Sequence, residues 1–211
     1  MRKFITSLLL LAGFAVNSQI VTAQVRIDTT YYDFAKNVTK ERSFAKSMIL
    51  VKYSENEPLA KYEIYDIMDM RLIQEGYYSS VDDDGKMVKQ GVQYLYHPNG
   101  KISVSDEYKD GKPDGKRMFY NDKGQLEAEV PYQNGIQRGV SKLYYPNGNV
   151  KWEAWTENDK NEGFERTYYE NGKLETSGVY RNDLKHGVFT RYDQWGGVIQ
   201  TARFIDDVQQ R

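Results

Sequence analysis

The chain of 211 residues has no cysteine, only 2 histidines and only 5 prolines. Without cysteine there are no disulfides, thiolate metal sites or cysteine nucleophile, and no residue to carry the lipid of a bacterial lipoprotein. The histidines, His97 and His186, stand too far apart in the pattern to place a catalytic triad or a paired metal site around them. Charge of one sign is also missing: 29 Lys and Arg face 30 Asp and Glu, so no electrostatic footprint for nucleic acid or for an anionic membrane exists. Long apolar runs are absent beyond the N-terminus. The run there, Phe4 to Val16 behind Arg2 and Lys3, is shorter than the roughly 20 residues a membrane span needs. With the small residues Val21, Thr22 and Ala23 following, it reads as a cleaved signal peptide over residues 1–23. The mature chain is then expected to begin near Gln24, to lack an integral membrane segment, and to be periplasmic or secreted.

What is present is periodicity. Glycines at Gly91, Gly115, Gly139, Gly163 and Gly187 open five units spaced 24 residues apart. Five residues on comes a tyrosine (Tyr96, Tyr120, Tyr144, Tyr168, Tyr192), and nine on a second glycine (Gly100, Gly124, Gly148, Gly172, Gly196). An aliphatic residue follows at position eleven: Ile102, Leu126, Val150, Leu174, Val198. Positions within a unit are counted from its opening glycine as zero. Such columns predict a tandem array, not a globule with one site.

In the unit Gly163 to His186 the turn-forming stretches are Glu170-Asn171-Gly172 and Arg181-Asn182-Asp183-Leu184. The first predicts a three-residue hairpin loop whose glycine is left-handed, with Tyr168 opposite Leu174. The second predicts a five-residue reversal over positions nineteen to twenty-three. Odd positions then build one apolar stripe and even positions a polar face. The expected fold is all-β, an open antiparallel meander of tandem β-hairpins over 91–211 with a small mixed lead-in over 24–90. In that lead-in Met48–Tyr53 and Ala60–Met68 read as strands, Thr39–Lys46 as a short helix, and Leu72–Tyr78 as a degenerate half-unit.

The unit pattern, fullest from Gly163 to Gly187, resembles the bacterial variant of the MORN repeat. The whole chain resembles exported proteins of Bacteroidetes labelled as YwqK-family antitoxins of toxin–antitoxin systems. That resemblance implies a β-hairpin scaffold for protein contacts, or for membrane association as in eukaryotic members. Unit two departs at Asp122-Lys123-Gly124, and unit three carries Thr156 in an aromatic column.

No catalytic constellation is legible, so a non-enzyme without cofactor or metal is expected. Asp82-Asp83-Asp84-Gly85 lacks the twelfth-position glutamate of a calcium loop, Gly91 standing there, and reads as an acidic solvated turn. Three aromatics fall out of the stripe's parity: Tyr145, Trp155 and Tyr169. They are the candidate ligand- or partner-binding residues, expected together on the polar face. An envelope protein partner is the leading expectation, a glycan or an exported toxin the alternatives, and a homodimer through an open sheet edge a further one.

Overall fold

The computed structural model describes residues 6–16, 19–32, 38–39, 46–54 and 57–210. Every regular element among them is a strand, and every pairing is antiparallel between tandem hairpins. Two compact units form, one up to Ile102 with Tyr108–Lys112, the other Ser103–Glu107 with the chain from Pro113 onward.

The first unit holds β1 (Thr6–Val16), β2 (Gln19–Tyr32), β3 (Val38–Thr39), β4 (Ser47–Ser54), β5 (Ala60–Asp66), β6 (Leu72–Val81) and β7 (Met87–Tyr96). β1 lines up along β2 from Thr6 against Thr29 to Val16 against Gln19, so among the described residues the segment expected to be a leader supplies an outer strand and the first residues of β2. The helix expected over Thr39–Lys46 falls on residues 40–45, outside those described, while Thr39 itself closes β3 opposite Tyr31. β5 and β6 correct the half-unit reading. Ala60 faces Tyr78, Tyr62 faces Gly76 and Tyr65 faces Leu72, the same pairs that Gly163, Glu165 and Tyr168 make with Tyr180, Gly178 and Leu174. A whole hairpin of the array is therefore present, with Ala60 in the place of the opening glycine. The core of this unit gathers there, with Val51, Ala60, Tyr62 and Tyr78 buried and Ile49, Ile64 and Met87 packed on them. Tyr62 donates to Gln93 Oε1 at 2.8 Å, and the Gln93 amide donates to the carbonyl oxygens of Tyr77 and Gln90. A side chain at Gly76 would overlap that Gln93 amide, so the closest approach in the core is reserved for glycine.

β8 (Ile102–Lys109) is divided between the units. The second unit continues through β9 (Lys112–Tyr120), β10 (Leu126–Gln133), β11 (Ile136–Gln137), β12 (Gly139–Tyr144), β13 (Val150–Glu157) and β14 (Lys160–Tyr168). It ends with β15 (Leu174–Arg181), β16 (Leu184–Lys185), β17 (Gly187–Tyr192), β18 (Val198–Ile205) and β19 (Val208–Gln210). The first hairpin of each repeat follows the expectation. Gly172 N donates to Tyr169 O at 2.8 Å to close the turn, Gly172 has φ 80° and Gly148 φ 87°, and Tyr168 faces Leu174. One further residue then bulges out at position twelve, because Thr167 faces Thr176 while Tyr168 faces Leu174.

That bulge overturns the odd-position stripe. Past it, register puts Gly163, Glu165, Thr167, Thr176, Gly178 and Tyr180 on one face, called front here, and Phe164, Arg166, Ser177 and Val179 on the other, the back. The tyrosines at position five and the aromatics at position seventeen are thus on opposite faces.

The second reversal is also tighter than expected. Asn158 (φ 53°) and Asp159 (φ 63°) alone make the loop, with Glu157 facing Lys160, and the same pair of left-handed residues recurs at Asn182-Asp183 and Asp206-Asp207. Two consecutive left-handed residues define a type I′ turn, whose twist matches that of the strands it joins. The residues saved in the turn reappear as a wide bulge, where 162–164 lie against Trp155 alone and the opening glycine, Gly163 at φ 93°, absorbs the bend. Each I′ turn also docks on the one before it. Asp183 N donates to Asn161 O at 3.0 Å and Asn161 N to Asp183 Oδ1 at 2.7 Å, a pairing repeated by Asp159 with Gln137 and by Asp207 with Lys185. Gly135 instead faces Pro113, which has no N–H for a carboxylate to accept.

Candidate functional site

The tyrosine columns serve the array itself. On the back face Tyr168 donates to Glu153 Oε1 at 2.7 Å, one unit earlier, and Arg166 reaches the same oxygen at 3.1 Å. Burial alone would raise the Glu153 carboxyl, but donation from Tyr168 and Arg166 outweighs it and holds the group below the usual glutamate range. Tyr96 donates to Glu75 in the same way, and Lys61 sits between Glu63 (3.1 Å) and Glu75 (2.7 Å). Every charge in that cluster is paired.

The three candidate residues separate. Tyr145 and Tyr169 are half-buried, and their hydroxyls donate at 2.7 Å to the carbonyl oxygens of Tyr168 and Tyr192 in the following units. Trp155 is 37% exposed, but register with Val140 puts it on the back face. Tyr145 instead borders a depression of about 310 Å³ with Leu143, Trp152 and Thr167, residues of the front. The expected common face for Tyr145, Trp155 and Tyr169 does not form, because the parity argument ran through the bulge at position twelve. Asp82 accepts the Lys86 N–H at 2.8 Å within a hairpin turn, and His186 lies 3.3 Å from Asp206.

What the sequence reading missed is a row on the front face running across the strands. Phe119 faces Ala128, Ala128 faces Leu143, and Leu143 faces Trp152. The row continues in polar form, Trp152 to Thr167, Thr167 to Thr176, Thr176 to Arg191 and Arg191 to Gln200. Leu143 is 42% exposed and Phe119 36%, a contiguous apolar stretch that the array does not cover. Lys151 and Glu175, bulged residues at position twelve, border the depression beside Leu143, Lys151 lying 5.8 Å from the Tyr145 ring. The signal was available as positions four and thirteen, apolar in units two and three, once the bulge at position twelve is allowed for.

A family profile for the MORN repeat variant matches residues 89–110, 113–134, 137–154 and 162–182. The repeat region is therefore similar to MORN repeats over four of its units. No curated protein matches the sequence. MORN repeats are a non-catalytic type generally associated with protein or membrane binding.

Proposed function

We propose that the chain is a non-enzymatic scaffold that binds a protein partner through the front-face row from Phe119 to Trp152. The exposure of Leu143 beside Trp152, at the floor of an open depression, carries this reading. Apolar side chains left in the open, with charges only at the rim, match the centre-and-rim anatomy of protein interfaces. A membrane surface is the weaker occupant, since Glu175 borders the patch and the chain has a formal net charge of −1. The leader expected over residues 1–23 adds an envelope setting, periplasmic or secreted, and immunity to an exported toxin would be one form of such binding. Glycan stacking has lost its support, because Trp155 does not share a surface with the two tyrosines.

A photoreactive phenylalanine analogue placed at Leu143, and separately at Trp155, tests the reading in cells of the source organism. Crosslinks to one discrete protein from position 143, absent from position 155 and lost when Phe119→Glu is added at unchanged melting temperature, are expected. Equal labelling from both faces, or labelling from 155 alone, would overturn it.

A further inference from the structure

The polar end of the front-face row has its own chemistry. A second depression, about 230 Å³, is lined by Lys185, Phe189, Arg191, Gln200 and Phe204 among others, with no carboxylate in its wall. Its floor is rigid. Phe189 meets Tyr180 edge-on at 5.6 Å and Phe204 at 5.3 Å, and it sits over Gly178, where any side chain would overlap the ring. Lys185 Nζ lies 5.4 Å above both the Phe189 and Phe204 rings. Neither Lys185 nor Arg191 has an ion pair among the described residues. Asp207 is engaged on the Lys185 backbone, accepting its N–H at 2.7 Å, so no ion pair among the described residues neutralises the Lys185 and Arg191 side chains.

The row joins this depression to the apolar one. From Leu143 to Arg191 there are four strand steps, about 19 Å at the usual strand spacing, which an extended peptide covers in about six residues. Thr167 and Thr176, whose hydroxyls share a hydrogen bond of 2.7 Å, form a polar floor between the two ends. Resting on the reading of the front face as a protein-binding surface, we propose that its occupant is an extended acidic peptide segment. It sets an apolar side chain on Leu143 and Trp152 and, about six residues away, a carboxylate on Lys185 and Arg191. Charge complementarity selects the carboxylate, and the two Phe rings take up the methylenes that carry it.

The experiment pans a displayed library of random dodecapeptides on the full-length chain and titrates the enriched peptides by fluorescence polarisation against wild type, Arg191→Glu and Leu143→Ser. The enriched peptides should carry Asp or Glu five to seven residues from a large apolar residue. Arg191→Glu should weaken them about tenfold or more, and replacing the peptide's acid by lysine should restore binding to Arg191→Glu. That charge swap also shows the variant to be folded. Peptides without an acid that bind Arg191→Glu as well as wild type, yet fail on Leu143→Ser, overturn the acidic-peptide inference and leave the front-face reading standing. Enrichment of no peptide overturns both. Arg191-dependent binding to phosphatidylcholine–phosphatidylglycerol vesicles or to polygalacturonate, with peptides inert, replaces the peptide by a lipid headgroup or an anionic glycan.

Discussion

Gly178→Ala separates two opposed effects. Gly178 is a strand residue outside the left-handed region, so alanine has no backbone objection and should gain about 0.5–1 kcal/mol by stiffening the unfolded chain. Against this, the new Cβ would overlap the Phe189 ring, and that ring is held edge-on between Tyr180 at 5.6 Å and Phe204 at 5.3 Å. Forcing a methyl into such a contact costs about 1–3 kcal/mol. At the middle of both ranges the clash wins, and the variant should lose about 1 kcal/mol net, with an upper bound of about 2.5 kcal/mol. In a Phe189→Ala background the obstacle is gone, and the same substitution should stabilise by about 0.5–1 kcal/mol. The two sites should therefore couple by about 1–3 kcal/mol. Arrays unfold piecewise, so the four proteins are best compared by native-state hydrogen exchange at the amides of Thr176 to Tyr180, beside global urea curves. An equal effect of Gly178→Ala in both backgrounds would refute the packing argument.

Two further predictions concern the contacts between units. Asp183 holds φ 68° and accepts the Asn161 N–H at 2.7 Å, so Asp183→Ala, which keeps the strain and loses the acceptor, should cost about 1–2 kcal/mol. Asp183→Gly, which removes the strain, should cost less, and a urea midpoint for glycine at or below that for alanine would contradict the left-handed turn. Glu153 has a folded carboxyl pKa below its ordinary 4.5, since Tyr168 and Arg166 outweigh burial. Its contribution is present above 4.5 and is lost as pH falls through the lower folded value, so Glu153→Gln should flatten the acid limb of melting temperature against pH. Parallel limbs for the two proteins would show that the carboxylate is not held as described.

The glycine and tyrosine columns were enough to read the hairpins and the loop ending at Gly148 or Gly172. A left-handed glycine at fixed distance from an opposed tyrosine and aliphatic residue leaves little freedom. Two things were not legible. Asn158-Asp159 hides a type I′ turn, because the second residue tolerates φ 63° only as part of its bonds to Gln137 in the preceding unit. Asn134-Gly135 and Asp110-Gly111 were the plainer statements of the same turn. The bulge at position twelve has no residue signature, as Lys151, Glu175 and Ile199 share neither shape nor charge. It exists because the loop ahead of it closes with an odd number of residues and the next pairing must restore the ladder. One unseen residue reverses face for half a strand, which is why Trp155 was assigned to the wrong side and the Leu143–Trp152 pair was missed.

The columns that recur are those with bonds to make. Position five meets a glutamate of the preceding unit where Tyr168 meets Glu153; position six spans to the next unit where Tyr145 meets the Tyr168 carbonyl; position twenty docks each turn on the last. Positions four and thirteen of the second unit make none of these contacts between units, and they are where composition drifts, from Phe119 and Leu143 through Thr167 to Arg191. A scaffold must keep the residues that tie one repeat to the next, and it is free to vary those that face outward. The drift from apolar to cationic along one row is the pattern by which a uniform array comes to distinguish one end of a bound segment from the other.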